Sequence, residues 1–235
     1  MEQYLNEPTY EQYPREILNI EFLKNKFLHI IIPANAQGEK KFNPLIIFLT
    51  NDDDHLHMAP LFNIASQGFT IGVIPHQQLT GDLRHRTAEV KSGIRYMLLH
   101  AYKYSIDTNR YFIWGEQSGA ELALTCITTA NQQDWNFEDT RIMPLHFKGG
   151  IIFGLESLVE LSVKIPTHDL PTIAFFSGID DFTFSKDENE QLIKRFADAG
   201  HAVQNYLLKG TADGTDAFYT PYMQTLVENF IRGLL

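Results

Sequence analysis

Six short apolar runs, at residues 44–50, 69–75, 110–114, 148–153, 171–177 and 203–209, recur along the chain with helix-period segments between them. Several, such as PLIIFLT and KGGIIF, are apolar at successive positions and lack the polar alternation of a half-exposed strand. A strand reads that way when both faces are covered, as in a parallel sheet packed between two helix layers. Helical patterns at 57–67, 84–104, 117–130, 187–199 and 220–234 supply those layers. The last opens on Thr220-Pro221, a favourable N-cap and first-turn pair. This alternation predicts an α/β fold built on a doubly wound, mostly parallel sheet with right-handed crossovers. Residues 16–23 and 27–33 precede it and read as an opening antiparallel pair, which brings the sheet to about eight strands. Neither a repeat, a low-complexity tract nor a linker interrupts residues 1–235. The polar excursions at 131–145 and 154–170 are too short for a separate cap domain, so the chain reads as one domain.

With 235 residues, 44% of them hydrophobic, the chain can bury a large core. It is acidic, with a formal net charge of −10, where nucleic-acid binding calls for a basic stripe. The same charge repels anionic membranes, and no apolar run approaches the roughly 20 residues that span a bilayer. The opening MEQYLNEPTY has neither a basic stretch nor an apolar stretch of the kind a secretory signal needs. Cys126 is the single cysteine, which excludes an internal disulfide and fits a reducing compartment. In a helical pattern it reads as a small core residue. The expected location is the cytoplasm.

Residues 110–123, RYFIWGEQSGAELA, join a strand to a helix through a glycine-framed turn. The nucleophile elbow of serine hydrolases has the form G-x-S-x-G, in which small flanking residues let a strand turn sharply into a helix and hold the nucleophile at the apex. Gly115 and Gly119 frame this turn, and the residue between them is Gln117. A carboxamide has no ionisable nucleophile and forms no acyl-enzyme. Ser118 is the fallback, but as the apex it would be flanked by Glu116 and Ala120, and a long charged Glu116 does not suit the tight turn. Ser118 is therefore expected to contribute its backbone N–H at the helix start.

From about residue 16 to its end the chain resembles the α/β-hydrolase superfamily, in particular its small esterase/lipase, acetyl-xylan-esterase-like branch. Ser105-Ile106-Asp107-Thr108-Asn109-Arg110 matches that branch's phrase before the elbow strand, and Glu121-Leu122-Ala123-Leu124 continues its elbow helix. Pro171–Ser177 followed by Gly178-Ile179-Asp180-Asp181 resembles its strand-plus-acid segment, which implies Asp181 as the triad acid. Asp213 stands 32 residues further on, after Lys209-Gly210-Thr211-Ala212, where the resemblance implies the catalytic histidine. An aspartate of ordinary pKa near 4 is a poor proton acceptor from serine, and Asp181 would repel it. Where the family carries a glycine-rich oxyanion run, this chain has Thr50-Asn51-Asp52-Asp53-Asp54, whose carboxylates oppose a developing oxyanion. Nucleophile, base and oxyanion environment all differ, so the resemblance carries a degenerate triad.

Of the nine histidines, His55, His57 and His76 follow strands at the expected active edge and are placed to reach the site, though each reads first as an exposed loop or helix-start residue. His29 reads as structural, and His201 lies at the opposite end of a strand from that edge. No histidine spacing matches a zinc motif, and no metal or other cofactor is implied.

Asp52, Asp53, Asp54, Glu116, Asp181, Asp213 and Asp216 would converge around the active edge as an electronegative pocket, with Asn51 among its binding residues and Gln117 supplying a donor and an acceptor. Such a pocket suits a small-molecule ligand such as an amine, a cation or a polyhydroxylated compound. Three readings follow. One is a non-catalytic homologue, a pseudoenzyme, that binds a ligand or partner there. Another is a working carboxylesterase of short-chain esters that uses Ser118 or an atypical base. The last is a scaffold or homodimerising module with a vestigial pocket.

Overall fold

The computed structural model describes residues 13–35, 40–50, 58–155, 165–166, 169–178, 186–209 and 220–235. Eight strands form one sheet: β1 (Arg15–Leu23), β2 (Lys26–Ile32), β3 (Asn43–Thr50), β4 (Thr70–Pro75), β5 (Ile106–Glu116), β6 (Gly149–Phe153), β7 (Thr172–Gly178) and β8 (Val203–Leu208). Their order across the sheet is β1-β2-β4-β3-β5-β6-β7-β8. The pairings β1–β2 and β2–β4 are antiparallel, and every pairing from β4 to β8 is parallel. This is the α/β-hydrolase fold that the sequence resemblance implies, with the expected antiparallel opening. No cap layer stands over the sheet among the described residues.

The helices are α1 (Met58–Ser66), α2 (Leu83–Leu99), α3 (Ala101–Tyr104), α4 (Ser118–Thr128), α5 (Lys186–Asp198) and α6 (Pro221–Arg232). Side chains of a strand alternate between faces, and in β3 both sets are apolar. Leu45, Ile47 and Leu49 pack with Val90 and Ile94 of α2, Leu122 and Cys126 of α4, and Leu192 and Phe196 of α5. Ile46 and Phe48 join the opposite layer, with Leu61 and Ile64 of α1 and Val227 and Ile231 of α6. The uninterrupted apolar runs are thus two interleaved cores, one on each side of the sheet. Cys126 is fully buried within the first, and burial pushes its thiol up to about 12.

Two elements depart from the sequence expectation. The helix expected over 84–104 breaks at His100, whose Nδ1 lies 2.8 Å from the Tyr96 carbonyl oxygen while its own N–H donates to the same oxygen. Ser105 then ends α3 in the left-handed region, at φ 57°. Strand β5 is longer than the apolar run 110–114, because the polar residues Asp107–Asn109 continue it. Ile106 pairs with Asn43 across an irregularity in the β3 register, and the Asp107 carboxylate accepts from the Asn109 N–H at 2.9 Å.

Candidate active site

Parallel strands bring their carboxyl ends to one edge, and there β5 turns into α4. The turn is possible because Gly115 and Gly119 have no side chains. A Cβ on Gly115 would collide with the Gly119 carbonyl and stand 2.7 Å from the Ala123 Cβ. One on Gly119 would stand 2.5 Å from the Leu49 carbonyl oxygen at the end of β3. Both glycines are framing elements in the sense expected of an elbow.

Gln117 occupies the apex with φ 50° and ψ −119°, a conformation that side-chain-bearing residues rarely adopt. Its N–H donates to the Phe153 carbonyl oxygen at 2.9 Å, and its carbonyl accepts from the Ala120 N–H at 3.0 Å. Strand β6 and the first turn of α4 thus hold the strained residue from both sides. Beneath the edge, the rings of Phe48, Trp114, Phe153, Phe176 and Tyr206 touch in sequence across five strands, with centroid separations of 4.5–5.2 Å. This aromatic row packs along one face of the sheet, buried from Phe48 to Phe176 and half-buried at Tyr206.

His76 follows β4 at the start of a short 3-10 turn (His76–Gln78). Its ring reaches across the end of β3, so that Nε2 lies 3.1 Å from the Ser118 Oγ. Gly119 makes room for it, since a Cβ there would stand 3.3 Å from the His76 Cδ2. His76 is buried, and burial lowers its pKa from 6.5, with the positive charge of Arg86 acting in the same direction. The imidazole is therefore neutral at neutral pH and can accept a proton from a hydroxyl. Ser118 is half-buried, and its backbone N–H stands at the positive end of α4.

Ser118, expected at the helix start for its backbone N–H and otherwise as the fallback nucleophile, has its side chain beside His76. His76, expected as an exposed loop or helix-start residue within reach of the site, opens the 3-10 turn and is buried. The sequence signal was present but faint: His76 is the first residue beyond a parallel strand, at the same edge as the elbow. Of the other candidates, Glu116 ends β5 beside the apex. Asn51, Asp52, Asp181, Asp213 and Asp216, together with His55 and His57, lie outside the described residues. His29 is structural as expected, its Nδ1 accepting from the Asn19 N–H at 3.2 Å. Among the described residues no group of three His, Cys, Asp or Glu could hold a metal ion, and no helix is long and apolar enough to cross a membrane.

Comparison with solved structures places this fold beside bacterial esterases. Esterase B from Lactobacillus rhamnosis superposes with a TM-score of 0.77 at 12% identity, covering 95% of this chain and 85% of the esterase. Thermogutta terrifontis esterase 2, in its form phosphorylated by paraoxon, gives a TM-score of 0.72 at 16% identity and covers 95% of each chain. Its propionate-bound form gives 0.72 at 15% identity. No curated protein matches the chain in sequence. Residues 48–191, more than half of the chain and including the elbow and His76, match the model of the BD-FAE family. The chain is accordingly a member of the BD-FAE family, an esterase-like branch of the α/β-hydrolases.

Proposed function

We infer that the protein is a hydrolase of short-chain carboxylic esters in which Ser118, one residue beyond the elbow apex, is the nucleophile and His76 is its base. The observation that carries this reading is the 3.1 Å contact between Ser118 Oγ and His76 Nε2, within the reach expected of a nucleophile and its base. In the step it implies, His76 Nε2 takes the hydroxyl proton as Oγ bonds to the ester carbonyl carbon. The same proton passes to the departing alkoxide as the acyl–oxygen bond breaks. Water, deprotonated by His76, then releases the acid and restores Ser118. The amino end of α4 presents backbone N–H groups and a partial positive charge toward the oxyanion. Esterase structures as fold neighbours and membership of an esterase-like family support an ester as the substrate class.

The assay is hydrolysis of p-nitrophenyl acetate and butyrate by the wild type, Ser118→Ala and His76→Gln. Ser118→Ala should abolish turnover, and His76→Gln should lower kcat/KM by about 10²–10⁴-fold, the usual contribution of a general base. Equal rates in all three proteins would refute the assignment.

Gln117 favours a second reading. The backbone of Gln117 is held at the apex by two hydrogen bonds and its carboxamide offers both a donor and an acceptor, so the elbow would hold a ligand without cleaving it. On that reading the wild type hydrolyses neither ester, and Gln117→Ala weakens ligand binding.

A further inference from the structure

At the opposite end of the sheet from the elbow, a cavity of about 380 Å³ opens between the last turns of α2, the start of β5 and the segment 142–148. Its size falls within the range of about 300–1,000 Å³ that holds small molecules. Leu98, Leu99, Ile142 and Leu145 give it apolar walls, while Arg95 and Lys148 bring cationic groups to the lining.

Arg95 is 1% exposed, an unusual position for a guanidinium. Its Nε donates to the Met143 carbonyl at 2.9 Å, and its Nη1 donates to the Glu138 carboxylate at 3.0 Å. Its Nη2 is buried and has no hydrogen-bond partner among the described residues. A buried donor left without an acceptor is costly, and a buried charged donor more so. Glu138 balances one of the two cationic charges but does not line the cavity, so Arg95 and Lys148 leave the site net positive. Around them, Thr108 and Asn109 add polar groups, and the Tyr111 hydroxyl accepts from the His146 N–H.

We propose that this cavity is a binding site for a small monocarboxylate with a short apolar tail. The carboxylate sits at the Arg95 guanidinium and supplies the acceptor that Nη2 lacks, with Lys148 as the outer cation. The tail lies along Leu98, Leu99, Ile142 and Leu145. A carboxylate suits the site better than a larger anion, because Nε and Nη1 are already held by Met143 and Glu138, a single donor is left for one carboxylate oxygen, and the remaining wall is apolar. The site is distinct from the elbow and stands whether or not Ser118 is a nucleophile.

The test is calorimetric titration of the full chain with sodium hexanoate, hexanol and sodium sulfate, with amide NMR shifts to locate the bound molecule. Hexanoate should bind with millimolar affinity or better and shift the signals of Ile142–His146 rather than those of Gln117 and Ser118. Hexanol and sulfate should bind at least about tenfold more weakly, since each lacks one half of the recognition. Ile142→Asp alters a residue 78% exposed at the cavity lining, so it leaves the fold intact while setting a negative charge against the ligand. It should abolish hexanoate binding, and Lys148→Ala should weaken it several-fold. No heat with hexanoate, hexanol binding equally well, shifts confined to the elbow, or Ile142→Asp binding like the wild type would each overturn the proposal.

Discussion

Gln117 is held where an L-residue pays for its Cβ, and the surroundings determine the conformation: the Phe153 carbonyl takes its N–H and the first turn of α4 takes its carbonyl. Such strain costs on the order of 1–3 kcal/mol, of which glycine would recover part after its own entropic cost. Gln117→Gly should therefore raise unfolding stability by about 1 kcal/mol in urea denaturation. A loss of stability would mean that the carboxamide makes contacts worth more than the strain. His76 sets a second residue-scale expectation. Its folded pKa lies below 6.5 because burial opposes the charged ring, so the unfolded chain binds the extra proton first as pH falls. The contribution of His76 to stability is fully present above about pH 6.5 and is lost as pH drops toward the folded value. Ester hydrolysis should follow the same group: flat at pH 7 and above, and falling on the acid side with an apparent pKa below 6.5. A rate still rising above pH 7 would implicate some other base.

The elbow is an element-scale device, because strand, turn and helix fit only while the two glycines remain bare. Gly115→Ala would drive a methyl into the Gly119 carbonyl and against the Ala123 Cβ, both parts of a packed helix that cannot retreat. Overpacking of this kind costs about 1–3 kcal/mol or more, and thermal denaturation should show a clear drop in Tm. An unchanged Tm would mean that α4 sits further from β5 than described. At this scale the sequence was largely legible. Strands with both faces covered announce themselves as unbroken apolar runs, and Gly115 and Gly119 mark the turn whatever residue stands between them. The polar start of β5 was not legible, since its pairing depends on Asn43, more than sixty residues earlier in the chain. Nor was the break at His100, where the backbone leaves helical values at φ −100° and ψ 21°.

For the whole molecule, the informative feature is how the strand order creates both sites. Strand β3 lies between β4 and β5, so a histidine just past β4 and a serine just past β5 meet over the end of β3, although 42 positions separate them. No local pattern encodes that meeting, and reading Ser118 within its own helix missed it. The cavity at the other end is likewise assembled from α2, β5 and the segment before β6, and no local pattern encodes their meeting. A sheet of this order gives an esterase-like molecule its edge, and Gln117 moves the question of chemistry one residue along. The most direct measurement is intact-mass analysis after incubation with a fluorophosphonate, followed by peptide mapping, because such probes capture serines activated by a neighbouring base. An adduct on Ser118 that is lost in His76→Gln is the predicted result. Folded protein with no adduct, or with one on any other serine, would contradict the Ser118–His76 assignment.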